Sequence, residues 1–222
     1  MRSKILGLFS VILMIVDLYM IFIFAPNEAT MGVIQRIFYF HLPFGIASYV
    51  SAYLLGFGSI LFLMKRDLKW DRFAAATGEM GILFTSLSIV SGMLWAKPVW
   101  GIWWTWDSRL TLQFLLGLFF VAYLMLRSYL PEREKRATLC AVFGLLGMID
   151  VPFNYFSIRW WRTQHPQPVI AGGGMDPDMW KVMTISFVTF AVLYAYLLGR
   201  RLAIAKVEEE VEYIEHAILA HD

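Results

Sequence analysis

The chain has 222 residues, 59% of them hydrophobic and 16% charged, with a mean hydropathy of +0.61 and a formal net charge of +2. Too few polar side chains are present to cover the surface of a water-soluble domain, which excludes that class and points to a polytopic membrane protein. The small positive balance gives no reason to expect a nucleic acid partner.

A helix needs about 20 mostly apolar residues to cross a hydrocarbon core. In chain order, residues 5–25, 42–64, 73–95, 110–126, 137–156 and 180–198 approach that requirement. The expected fold is therefore all-α, with six transmembrane helices and both termini on one side. The first segment is too long for a signal-peptide core and has no small-x-small site before Pro26-Asn27-Glu28, so it is expected to be retained. Residues 1–200 form the transmembrane unit and 201–222 a tail. In that tail Val207, Val211, Ile214 and Ile218 recur at helical spacing among glutamates, the pattern of an amphipathic helix that is solvated and weakly packed. Docking to a partner is the second reading.

Orientation follows from the 19 Lys and Arg. Thirteen of them, including Arg2, Lys65, Arg72, Arg127, Arg133 and Arg201, share the side of the termini; six, Arg36, Lys97, Arg109, Arg159, Arg162 and Lys181, lie opposite. Cytoplasmic loops carry the excess of positive charge, so both termini are expected in the cytoplasm. The lone Cys140 rules out an intramolecular disulfide and a CxxCH haem-attachment motif. Asp17, Glu79 and Asp150 fall inside hydrocarbon-length segments with no basic partner at similar depth, and hydrogen bonds to Ser and Thr such as Thr85, Ser86, Ser88 and Ser91 are their expected role.

The external loops hold the unusual chemistry. Trp100, Trp103, Trp104 and Trp106 put four of nine tryptophans into eight residues. That is denser than the interfacial belt of an ordinary membrane protein and reads as a flat aromatic shelf. His41 begins the second hydrophobic segment, with Pro43 in its first turn, where the helix terminus disfavours the imidazolium form. His165 follows Trp160-Trp161-Arg162-Thr163-Gln164, ahead of a glycine-rich stretch at 171–174. Two external imidazoles beside indoles and arginines form a haem constellation. The imidazoles serve as axial ligands, the indoles cover the macrocycle and the arginines meet the propionates. Taken singly, each residue has a plainer role: a hydrogen-bonded interfacial histidine, Asp107 and Arg109 capping the fourth helix and pairing, and snorkelling for Arg159, Arg162 and Lys97.

The run from Leu94 to Thr111, with Trp95, Lys97-Pro98-Val99-Trp100-Gly101, Trp103-Trp104-Thr105-Trp106-Asp107 and Arg109, resembles the tryptophan-rich WWD signature of haem-handling proteins, and in particular the CcmC family of haem exporters in cytochrome c maturation. The likeness extends through Arg36 to Pro43, Val151-Pro152, the segment ending in His165, and Met175-Asp176-Pro177, covering roughly residues 5–200. Ala96 and Ile102 depart from the Gly and Thr expected there. Related CcmF and CcsA proteins share the signature but are longer. The resemblance implies a multi-pass protein of the bacterial inner membrane that binds haem b (iron protoporphyrin IX) transiently at the outer face. It implies His41 and His165 as the axial metal ligands and a platform of Trp95, Trp100, Trp103, Trp104, Trp106 and Asp107. Arg36, Lys97, Arg109, Arg159 and Arg162 are the candidates for propionate contact, with Arg109 best placed because it follows the shelf directly. The implied partners are the haem chaperone CcmE, the small protein CcmD, and the transporter pair CcmA and CcmB. This favours a haem transfer factor over an enzyme, since the covalent step would belong to haem and chaperone. Two alternatives stay open: a quinol-oxidising haem b electron-transfer subunit, which normally buries its histidines inside helices, and a haem-free assembly scaffold.

Overall fold

Helix α1 (Arg2–Tyr19) ends in a π-helical turn (Met20–Phe24), and a 3-10 turn (Val33–Ile37) leads into α2 (Phe38–Lys65). Helices α3 (Leu68–Trp100), α4 (Ser108–Tyr129), α5 (Arg133–Trp160) and α6 (Pro177–Leu219) follow. The computed structural model describes residues 2–165 and 175–219; the glycine-rich stretch 171–174 and His221 lie outside the described residues. Six helices are long and apolar enough to cross a membrane, and no strand occurs among the described residues. The protein is an all-α, six-helix membrane protein.

α3 outlasts its hydrophobic run and is capped at both ends. Asp67 accepts the Lys69 amide at 2.9 Å to start α3. Gly101 ends α3 with φ +78°, its amide bonded to the Lys97 carbonyl at 3.0 Å. This left-handed cap suits glycine and breaks the chain direction just where the Trp-rich loop begins. α2 starts at Phe38, so Pro43 sits beyond its first turn rather than within it.

α2 packs along α3 and α5, α4 closes the group against α3 and α5, and α1 pairs with α6, which joins the rest through α2 and α3. Without a hydrophobic driving force in lipid, close packing at small residues holds such helices together. A Cβ on Gly81 would come 2.2 Å from the Phe120 ring, and one on Gly144 would come 2.3 Å from Leu55, so α3 meets α4 and α2 meets α5 nearly backbone to side chain. The apolar centre contains Ala52, Leu55, Leu116, Phe120, Tyr123 and Val151 together with the free Cys140.

Charges are paired at the end opposite the Trp-rich loop. Arg127 grips Asp71 with both guanidinium nitrogens, at 2.5 and 2.9 Å, tying α4 to α3. Glu209 accepts from both Arg72 and Arg133, and Arg201 bonds Glu79 at 2.5 Å and Glu208 at 2.9 Å. Two expectations are corrected here. Glu79 does have a basic partner, because α6 carries Arg201 back to its depth. The start of the tail is not a weakly packed, solvated segment: α6 runs unbroken past Lys206 and its glutamates clasp α3 and α5. Val207, Val211, Ile214 and Ile218 nevertheless stay exposed. Asp17 Oδ1 accepts from Ser186 at 2.7 Å, a hydroxyl partner of the expected type, and Oδ2 of Asp17, like Oδ2 of the buried Asp150, has no hydrogen-bond partner among the described residues.

Removing one partner of a buried ion pair costs about 3–5 kcal/mol. Asp71→Asn should fall at the lower end, since the Arg127 side chain keeps 17% exposure, and unfolding in detergent is the measurement. Glu209→Gln should leave the melting temperature nearly unchanged but raise amide hydrogen exchange in the part of α6 beyond Arg201, with the transmembrane part of the helix unaffected.

Candidate functional site

The site begins with His41, half-buried in the first turn of α2. The 3-10 turn runs into α2 without a break, so His41 does not stand at a free helix terminus, and the expected terminal field is not what governs it. Its surroundings come from α3. His41 Nδ1 lies 3.1 Å from the Ser88 carbonyl and 3.1 Å from Ser91 Oγ, while Ser91 Oγ donates to the Leu87 carbonyl at 2.7 Å. A carbonyl only accepts, so Nδ1 carries the hydrogen, and in the neutral ring Nε2 then keeps its lone pair. Trp95, two turns along α3 from Ser88, meets the imidazole edge-on at 5.8 Å, and Phe38 packs on Trp95 at 5.6 Å.

The Trp-rich loop spans the gap between α3 and α4. Asp107 is the N-cap of α4: Oδ1 accepts the amides of Arg109 at 3.0 Å and Leu110 at 3.2 Å, and Oδ2 accepts the Thr105 hydroxyl at 2.8 Å. Trp104 and Trp106 meet at 79° with ring centres 5.7 Å apart, and both pack edge-on against Phe114 of α4. The flat shelf is thereby corrected to a folded cluster, the geometry that the ring quadrupole favours. Trp106 is 72% exposed and Trp103 50%, while Trp95, Trp100 and Trp104 are half-buried. Lys97 covers the Trp103 ring at 5.8 Å.

Arg109 does not turn back to Asp107. Its Nη1 donates to the Asn154 carbonyl at 2.5 Å, and its guanidinium lies over the Tyr49 ring at 5.8 Å. Asn154 donates to Gln113 at 3.0 Å, and Gln113 donates to Ser48 at 3.2 Å, so a polar chain through α5, α4 and α2 backs Arg109. Arg109 and His165 both stand within electrostatic reach of the His41 ring. His165 lies beyond the end of α5, its amide bonded to Thr163 Oγ1 at 3.0 Å. Three expected site residues, His41, His165 and Arg109, are thus drawn together from α2, the loop after α5, and α4, with Trp95 beside them. Arg36 is engaged elsewhere: it donates to the carbonyls of Phe22 at 2.7 Å and Ala25 at 3.4 Å, satisfying the end of α1. Arg159 stacks on Tyr155 and Phe156.

Sequence reasoning missed Ser88, Ser91 and Gly92 as the surroundings of His41, having offered the serines to the buried carboxylates. The available signal was their spacing with Trp95, which places all four on one face of α3. Asn154 and Gln113 carried no comparable signal, since their partners lie 41 to 65 residues away.

A family model described as heme exporter protein C matches residues 2–216. The heme exporter protein C of Escherichia coli K12 is 30% identical over 200 residues, spanning 89% of this chain and 80% of that protein. That of Bradyrhizobium diazoefficiens is 31% identical over 189 residues, spanning 85% and 71%. A ccmC-like mitochondrial protein of Marchantia polymorpha, named for cytochrome c biosynthesis, is 33% identical over 175 residues, spanning 79% and 73%. With a match over nearly its whole length, the chain belongs to the heme exporter protein C family.

Proposed function

We propose that this protein binds haem at the outer face of the cytoplasmic membrane and hands it to the periplasmic chaperone CcmE during c-type cytochrome maturation. Haem b is the cargo, held transiently, with His41 and His165 as axial ligands. The observation that carries this reading is the His41 ring: its Nδ1 faces the Ser88 carbonyl, which leaves Nε2 as the available donor. Ligating histidines typically donate their other ring N–H in this way. The nearness of His165 supports a second ligand, and a pair of imidazoles completes the axial set of a porphyrin whose own nitrogens fill the remaining positions.

The electrostatics of the loop end suit an anionic cargo. Arg36, Lys97 and Arg109 donate to neutral backbone carbonyls, and none of the three forms an ion pair among the described residues. Haem propionates are drawn to such a field, and Arg109, nearest the imidazoles, is the best candidate for a direct contact. The exposed Trp103 and Trp106 offer apolar cover for one edge of the macrocycle, so that the opposite edge stays open to the chaperone. The excess of Lys and Arg on the other side of the membrane supports cytoplasmic termini. The family relationship supports work alongside CcmD and the CcmA and CcmB transporter pair.

His41→Ala and His165→Ala, purified in detergent from haem-replete cells, should each lose most of the haem absorbance per chain. Unchanged occupancy and spectrum in both would remove the ligand assignment. Asp107 has a sharper test, because Asn caps a helix about as well as Asp while Ala costs about 1 kcal/mol. Asp107→Asn should retain most haem loading and Asp107→Ala should lose it; equal losses would show that the carboxylate charge, rather than the cap, is what the site requires.

A further inference from the structure

We infer that one face of α3, made by the Ser88 carbonyl, the Ser91 hydroxyl and the bare Gly92, is a cradle that presents His41 in the Nδ1-protonated form with Nε2 left as the ligating nitrogen. The inference rests on His41 being a haem ligand and adds the residues that orient it.

Three contacts converge on one imidazole. Nδ1–H is shared between the Ser88 carbonyl and Ser91 Oγ, both at 3.1 Å. Ser91 is able to accept because its own hydrogen is directed to the Leu87 carbonyl at 2.7 Å. The third contact is steric. A Cβ built on Gly92 would stand 3.0 Å from His41 Cε1, tighter than ordinary contact, so only glycine lets the ring lie this close to α3. The Trp95 indole, also on α3, meets the ring at 63° with centres 5.8 Å apart, which limits its rotation. Ser88, Ser91, Gly92 and Trp95 follow one another at three, one and three residues, which is one side of a helix.

The chemical consequence concerns which atom binds. With free rotation, either nitrogen would meet iron, and the two modes tilt the porphyrin differently against the Trp-rich loop. An acceptor that only a ring N–H can satisfy removes one mode, because flipping the ring would leave the Ser88 contact with a carbon. The same bond increases the donor strength of Nε2, as partners behind a ligating histidine do. Ser88 contributes through its backbone, so it has no side-chain substitution that deletes the bond. Ser91 and Gly92 are the substitutable positioning residues.

The test replaces the ligand rather than the cradle. His41→Gly is purified as the full chain in nanodiscs, loaded with haem, and titrated with imidazole or with 1-methylimidazole, which ligates equally well through one nitrogen but has no N–H to donate. The affinity ratio of the two azoles for haem in protein-free vesicles of the same lipid is the reference. Imidazole should restore the low-spin spectrum of the native protein, and 1-methylimidazole should bind at least about tenfold more weakly than the reference ratio predicts, the loss expected for one buried hydrogen bond.

A second arm leaves His41 in place. Gly92→Ala should lower haem occupancy several-fold and change the g-values of the low-spin ferric signal, because the ring must shift. Gly45→Ala, at the same α2 and α3 contact but with its added Cβ 3.6 Å from Ser88 Oγ, should change neither. Equal recovery by the two azoles, no recovery by either, or identical spectra for Gly92→Ala and the native protein would overturn the cradle while leaving His41 as a ligand. A His41→Gly variant that keeps its haem and spectrum without any azole would instead overturn the ligand reading itself.

Discussion

The close approach of α2 to α3 is the constraint on which the site depends. A hydrogen bond of 3.1 Å between His41 and the Ser88 carbonyl survives only if the two helix axes stay near their present separation. The missing Cβ of Gly92 leaves room for that separation at His41. α3 is also the helix that carries Trp95 and Trp100 and ends at Gly101, where the Trp-rich loop departs. One rigid element thus supports the ligand and launches the loop. The depth of the imidazole and the start of the aromatic cluster cannot vary independently.

The two ends of the bundle treat charge in opposite ways. At the far end, arginines meet carboxylates: Arg127 with Asp71, Arg201 with Glu79 and Glu208, and Glu209 between Arg72 and Arg133. These pairs compensate each other and act as fasteners, worth little individually where solvent reaches them. At the loop end Lys181 pairs with the exposed Asp178, the one ion pair there among the described residues, whereas Arg36, Lys97 and Arg109 bond to carbonyls. A carbonyl satisfies the donor without cancelling its charge. The first arrangement builds a stable scaffold, and the second keeps a positive field where an anionic amphiphile would arrive.

Much of this was legible in the sequence because hydrophobic length and capping residues act locally. All six helices fall where apolar runs predict them, and Asp107 was readable as a cap from its position before the fourth run. What escaped was set by packing at long range. The expected boundaries stopped at the edge of the hydrocarbon-like residues, yet α3 continues to its Gly101 cap and α6 runs on past the glutamates that Arg72, Arg133 and Arg201 hold. Glu79 looked unpartnered because Arg201 lies 122 residues away. The aromatic loop looked flat because composition carries no angle; Phe114, a residue of the next helix, is what folds Trp104 and Trp106 into an edge-on cluster.

The most recognisable residues of the signature and the residues that govern the imidazole are not the same. Asp107 is engaged with two amides and a hydroxyl of its own loop, which fixes how Trp104 and Trp106 leave α4 and where Arg109 begins. Ser88 and Gly92, two turns or more before the signature's dense part, hold His41. A backbone carbonyl and a missing Cβ have little compositional weight, so they do not stand out as a motif. A short tryptophan-rich string therefore marks the visible rim of the site, while the geometry of the ligand is determined by the plain helix that precedes it.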